Sequence, residues 1–155
     1  MKKTIALFLC LSLPYVAFAS EPAYKVRYDG GSIADVKPGN EMRMSIGEKD
    51  IHLFQGEKQI AVIPASAITE VSYGQDVHRR VGGAIALGVV SLGAGALLAL
   101  SKSKKHFVGL TWADGDKKGG LAIQCDKNEY RGILAALEGV TGKKAVNSDT
   151  MTVKN

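Results

Sequence analysis

Residues 81–100 are twenty consecutive positions without a charge, made of nine Val, Ile or Leu, five Ala, five Gly and Ser91. Whatever this chain folds into has to cover that run, because a contiguous apolar patch of such length is rarely left in water on a soluble monomer. As one helix it would reach about 30 Å, the thickness of a bilayer's hydrocarbon layer. Its nine large residues offer roughly −3 to −5 kcal/mol on an insertion scale, partly offset by the glycines and the serine. Three placements fit these numbers. The run can cross a membrane once. It can bend around Ser91 to Gly95 into a hairpin whose two arms of about ten residues dip into one leaflet. Or it can form a glycine-rich helical pair buried under the domain or between protomers.

The flanks add charge on both sides. His78, Arg79 and Arg80 precede the run, and Lys102, Lys104, Lys105 and His106 follow it, so the distribution of cations assigns no orientation. Arg79, Arg80, Lys102, Lys104 and Lys105 are the candidate membrane-surface contacts, each giving roughly 1 kcal/mol among anionic headgroups. Within the run, Ala84, Gly88, Ser91, Gly95 and Ala99 recur at steps of 4, 3, 4 and 4. On a helix they form a ridge of small side chains along which a second helix can approach, which makes a homo-oligomer through the insert an expectation.

The N-terminus reads as an export signal. Met1-Lys2-Lys3 is a short cationic start, Ile5 to Leu13 is apolar, and Ala17-Phe18-Ala19 is the small-x-small pattern before a cut at Ser20. The expected division is a signal peptide over residues 1–19, one domain over 20–146 that contains the insert at 81–100, and a loose polar tail over 147–155. The mature chain would then hold 136 of the 155 residues, enough for one hydrophobic core. Removing Lys2 and Lys3 leaves 18 Lys and Arg against 15 Asp and Glu, a net +3 in place of +5. That excess gives nucleic acid little weight as a partner. Of the two cysteines, Cys10 leaves with the signal and Cys125 remains, so an internal disulfide is excluded in the mature chain. A lone cysteine in an apolar strand reads as a small core residue.

From Tyr24 to Tyr73 apolar residues alternate with polar ones, broken by turn residues about every ten positions, which predicts a strand meander. Strands are expected around Tyr24–Tyr28, ending at Asp29-Gly30-Gly31, and then at Met42–Ile46, Ile51–Phe54, Ile60–Ile63 and Ile68–Tyr73. After the insert come His106–Ala113 and Leu121–Cys125, joined by the polar, glycine-rich Asp114 to Gly120. A helix follows, with Asp126 and Glu129 spaced as a capping box and Tyr130, Ile133, Leu134 and Leu137 as one apolar stripe; Gly139 or Gly142 ends it. About seven strands and one C-terminal amphipathic helix predict an α+β fold, a curved antiparallel sheet or partial barrel with the helix plugging its open side.

This order of elements resembles the pleckstrin-homology-like barrels of bacteria. The segment from Lys105 to Trp112, then Tyr130 to Glu138 with Thr141-Gly142-Lys143-Lys144, is similar to a group of small exported bacterial proteins of unassigned activity. The resemblance spans roughly Glu41 to Val146. It implies the fold, a pleckstrin-homology-like barrel with an inserted apolar helical segment. The basic loop by which eukaryotic members hold phosphoinositides has no counterpart here, so no ligand chemistry follows from it.

Reaction chemistry finds no constellation. His52, His78 and His106 are scattered, without zinc-ligand spacing. Asp114-Gly115-Asp116 begins like a calcium loop, but the position of the bidentate acid is Cys125. Ser91 lacks the first glycine of a nucleophile elbow. Gly139 to Lys144 follows a helix instead of preceding one, the reverse of a phosphate loop. The expectation is therefore a periplasmic, membrane-associated binding or interaction module without catalytic residues, cofactor or metal, with membrane lipid and an unknown protein as partners. Two alternatives remain open: a soluble periplasmic protein that uses the insert for protein contact, and a small lipid or peptide carrier with the insert as a lid.

Overall fold

The computed structural model describes residues 22–75, 77, 81–82 and 105–149. It is a mixed α+β fold, an open, curved sheet of eight strands packed on a helix. The strands are β1 (Ala23–Gly31), β2 (Glu41–Ile46), β3 (Asp50–Gln55), β4 (Lys58–Pro64), β5 (Ile68–Tyr73), β6 (His106–Asp114), β7 (Lys117–Cys125) and β8 (Val146–Asn147). A 3-10 turn, Ala65–Ala67, links β4 to β5, and the helix α1 spans Tyr130–Thr141. The order across the sheet is β4-β3-β2-β1-β7-β6-β5-β8. All neighbours are antiparallel except β5 and β8.

The alternation along the strands sorts their two faces. Val26 and Tyr28 of β1, Met42 and Met44 of β2, Ile51 and Leu53 of β3, and Leu121 and Ile123 of β7 point into one core. Val108 and Leu110 of β6 join them, with Trp112 packed at the margin. Ile133 and Leu137 of α1 reach the same core, flanked by Tyr130 and Leu134, so the apolar stripe is buried as its spacing requires. Seven strands laid flat would be about 29 Å across at 4.8 Å spacing. A helix is only about 10 Å thick, so one helix shares a core with β1 through β7 only because the sheet curls around it.

Several expectations need correction. Asp29-Gly30-Gly31 does not end β1; the strand continues to Gly31 through a bulge between Tyr28 and Gly30, and still pairs with β7. The capping box does not form. Asp126 Oδ1 accepts a bond from the Asn128 amide at 2.8 Å in a turn, and the helix starts later, at Tyr130, with no side-chain cap at Glu129. Its other end is at Gly142, whose φ of +67° is the left-handed cap that glycine takes without strain. Asn147, read as the start of a loose tail, lies in β8 instead. Ser148 follows it at 3% exposure, and both its amide and its hydroxyl donate to the Tyr73 carbonyl at 2.8 Å. Backbone pairing, to which side-chain polarity is indifferent, fixes this segment.

The signal segment, residues 1–19, lies outside the described residues, as do positions 83–100 of the insert. Among the described residues no helix is long and apolar enough to cross a membrane.

Candidate functional site: the root of the insert and the basic cleft beside it

The strands before and after the apolar run are hydrogen-bonded neighbours. β5 pairs with β6 from Ile68↔Trp112 to Tyr73↔Val108. Beyond the last pair, the Gly74 amide donates to the Phe107 carbonyl at 3.1 Å, and the Gln75 side-chain amide donates to the Lys105 carbonyl. The chain therefore leaves the sheet at Gln75 and returns to it at Lys105 in one place. A single crossing that separated Tyr73 from Phe107 by a bilayer is incompatible with this pairing. The segment after β8 closes on the same spot, where the Gln75 amide donates to the Asp149 carboxylate at 2.6 Å.

At this root a second, smaller apolar cluster forms on the side of the sheet away from the core. Val77 and Val81 are both helical, and they are buried against Phe107 of β6 and Ala122 of β7. The floor under them is a row of small residues that register brings together: Ser72 opposite Gly109, Gly109 opposite Ala122, and Ala122 opposite Gly30. Gly109 is obligatory in this contact. A β-carbon there would lie 2.6 Å from Val77 Cγ1 and 2.9 Å from Val81 Cγ2, well inside van der Waals distance. Val81, the first residue of the apolar run, is 1% exposed, so the run begins packed on protein.

Of the expected membrane-surface residues, Lys105 is described, and Arg79, Arg80, Lys102 and Lys104 lie outside the described residues. So do Ala84, Gly88, Ser91, Gly95 and Ala99 of the small-residue ridge. Lys105 forms one wall of a cleft of about 630 Å³ on the outer side of β2, β1 and β7. Lys25, Arg27, Arg43 and Lys127 line it too, with His106 and Gln124; the acids are Glu41 and Asp126. The strand period explains the grouping. With Val26, Tyr28, Met42 and Met44 turned inward, Lys25, Arg27, Glu41 and Arg43 have to project outward. Register then sets Arg27 beside Glu41 and Gln124, and Lys25 directly opposite Arg43.

Arg27 and Glu41 form an ion pair at 3.5 Å with both side chains exposed, which is worth little in water. The Arg43 guanidinium lies over the Phe54 ring, 4.8 Å from its centroid. Lys25 and Arg43 are a like-charged cross-strand pair, and among the described residues neither has a carboxylate partner. Like charges directly opposite each other across two strands destabilise a sheet. The cleft thus concentrates five cations against two acids, one of them already paired.

Sequence reasoning named Lys105 and missed Lys25, Arg27, Arg43 and Lys127. Outward positions on alternating strands were legible, but the register that assembles them was not.

The cleft's lining includes one thiol, that of Cys125. Cys125 stands opposite His106 in the β6–β7 ladder, yet it is a core residue at 5% exposure. Burial, with the nearby Glu129 charge, pushes its thiol up to about 12, so it stays protonated and unreactive. The His106 ring is stacked on Tyr130 with centroids 4.1 Å apart. Asp114 ends β6, and Asp116 lies in the two-residue turn that leads to β7. Among the described residues no group of three or more His, Cys, Asp or Glu is placed to hold a metal ion. What remains is a surface with an apolar root and a cationic wall. Compared with known proteins, the chain matches no family model and no curated protein.

Proposed function

We propose that the protein is an exported, membrane-associated module without catalytic activity, a pleckstrin-homology-like barrel held to a membrane by a hairpin made from its apolar insert. The observation that carries this reading is the pairing of β5 with β6. A twenty-residue uncharged run that lies between Gln75 and Lys105, two residues bonded to each other, can enter a bilayer only by turning back to the side it came from. The strand order supports the barrel: β1 to β4 and β5 to β7 are each a meander, β1 joins the two through β7, and α1 packs into the curved face. The amino-terminal signal pattern supports export, and with it a periplasmic position.

The test is fractionation of cells expressing the full chain. Retention in the membrane pellet after alkaline carbonate extraction, with protease reaching the domain from the extracytoplasmic side, is the expected result. Release by carbonate would refute attachment through the insert.

A second reading has one observation in its favour. Val77 and Val81 are buried on the protein's own sheet, as a soluble periplasmic protein would have them if the insert made protein contacts instead. Carbonate release together with a dimer or a stable hetero-complex in solution would select that reading.

A further inference from the structure

We propose that the cleft walled by Lys25, Arg27, Arg43, Lys105 and Lys127 receives the phosphate-bearing headgroups of an anionic phospholipid bilayer, so that the outer side of the sheet lies against the membrane the insert enters. The inference rests on the reading of the insert as a membrane hairpin and adds the chemistry of the surface it meets.

Three observations converge on it. First, Lys105 belongs to both features: it is a wall of the cleft, and its carbonyl holds Gln75 at the insert's root. A bilayer that takes up the insert therefore meets the protein beside a residue that also walls the cleft. Second, Lys25 and Arg43 oppose each other across β1 and β2 with no carboxylate between them among the described residues. Two cations held side by side at a cost to the sheet are stabilised when an anion bridges them, and phosphate accepts from a lysine and an arginine at once. Third, the volume of about 630 Å³ exceeds what a lone phosphate ion fills and lies in the range of sites that take ligands of small-molecule size. Arg27 is partly neutralised by Glu41, which leaves Lys25, Arg43, Lys105 and Lys127 as the charges that meet the headgroups.

A headgroup fits better than a soluble anion. The cleft is open to solvent, and an isolated ion in it would remain in contact with water and be screened at physiological salt. A bilayer presents many phosphates in one plane, so the separate cations act together, each near-surface charge contributing about fivefold to binding.

The experiment compares the signal-free chain with its Lys25→Gln/Arg43→Gln variant in flotation with two kinds of vesicle, phosphatidylcholine alone and phosphatidylcholine mixed with phosphatidylglycerol. Both side chains are exposed, and removing a like-charge pair should leave the melting temperature unchanged or slightly higher, which controls for folding. The expected result is that the parent prefers the anionic vesicles. The variant should lose roughly 30-fold in affinity for them, at about fivefold per cation, and bind neutral vesicles as before. Equal binding of the parent to both vesicles would overturn the proposal while leaving the membrane hairpin standing. So would an unchanged preference in the variant, or saturation of the cleft by inorganic phosphate with no vesicle preference. Failure of the parent to bind either vesicle would overturn the hairpin reading as well.

Discussion

Gly109→Ala isolates the contact between the insert's root and the sheet. The added methyl carbon would stand 2.6 Å from Val77 Cγ1, 2.7 Å from Ser72 Oγ and 2.9 Å from Val81 Cγ2. Carbon atoms settle at about 3.5–4.0 Å, so the helical residues have to lift by roughly 1 Å or detach. Crowding of this kind costs about 1–3 kcal/mol. Replacing a strand glycine returns about 0.5–1 kcal/mol of backbone entropy. The net cost is about 0.5–2 kcal/mol, and it falls on the docking of Val77 and Val81 because the core side of β6, Val108 and Leu110, is untouched. With about 1.4 kcal/mol per factor of ten, the opening equilibrium should shift roughly 2- to 30-fold. The assay is maleimide labelling of a signal-free Val81→Cys chain, which lacks Cys10 and in which the buried, protonated Cys125 stays silent. Labelling should accelerate by that factor when Gly109→Ala is added, while the urea midpoint of the whole domain moves much less. An unchanged labelling rate would refute the contact, and an equal loss of global stability would refute its independence from the core.

Other perturbations read other parts of the fold. Leu137→Ala removes a side chain of α1 that is 0% exposed inside the curved sheet, and should cost about 2–5 kcal/mol in urea unfolding. Gly142→Ala puts a side chain at φ +67° with nothing within 4 Å, so its cost is conformational alone, about 1 kcal/mol, seen as a lower melting temperature with an unchanged helical circular dichroism signal. The Cys125 thiol has a folded value of about 12 against an ordinary 9.0, so the folded state holds its proton more tightly than the unfolded state. That contribution is complete below about pH 9 and is lost as the pH rises through the folded value near 12. Stability measured from pH 9 upward should fall less steeply in Cys125→Ala than in the parent.

How much of this was legible depends on whether a feature is local. Val26 and Tyr28, Met42 and Met44, and the stripe from Tyr130 to Leu137 declared their faces through periods of 2 and 3.6, and the core uses them so. Asp29-Gly30-Gly31 has the composition of a turn but continues a strand, because pairing with β7 outweighs local preference there. β8 was invisible for a related reason: two residues joined to β5 by backbone bonds leave no periodic trace. The row from Ser72 through Gly109 and Ala122 to Gly30, like the cation cluster, exists only once register aligns positions far apart in the chain. Four of the five flanking cations expected at a membrane lie outside the described residues, and Lys105 connects that expectation to the cleft.

The tie between β5 and β6 at the insert's root also sets how the protein bears force. A pull on the insert enters at Tyr73 and Phe107 and draws both strands in the same direction, so the bonds between them carry no load. The tension passes to the nine-pair ladder between β6 and β7, where strands slide along each other and every rung resists at once. An anchor attached at a chain terminus would peel a single strand, one bond at a time. An insert rooted between β5 and β6 would instead draw on the longest ladder among the described residues.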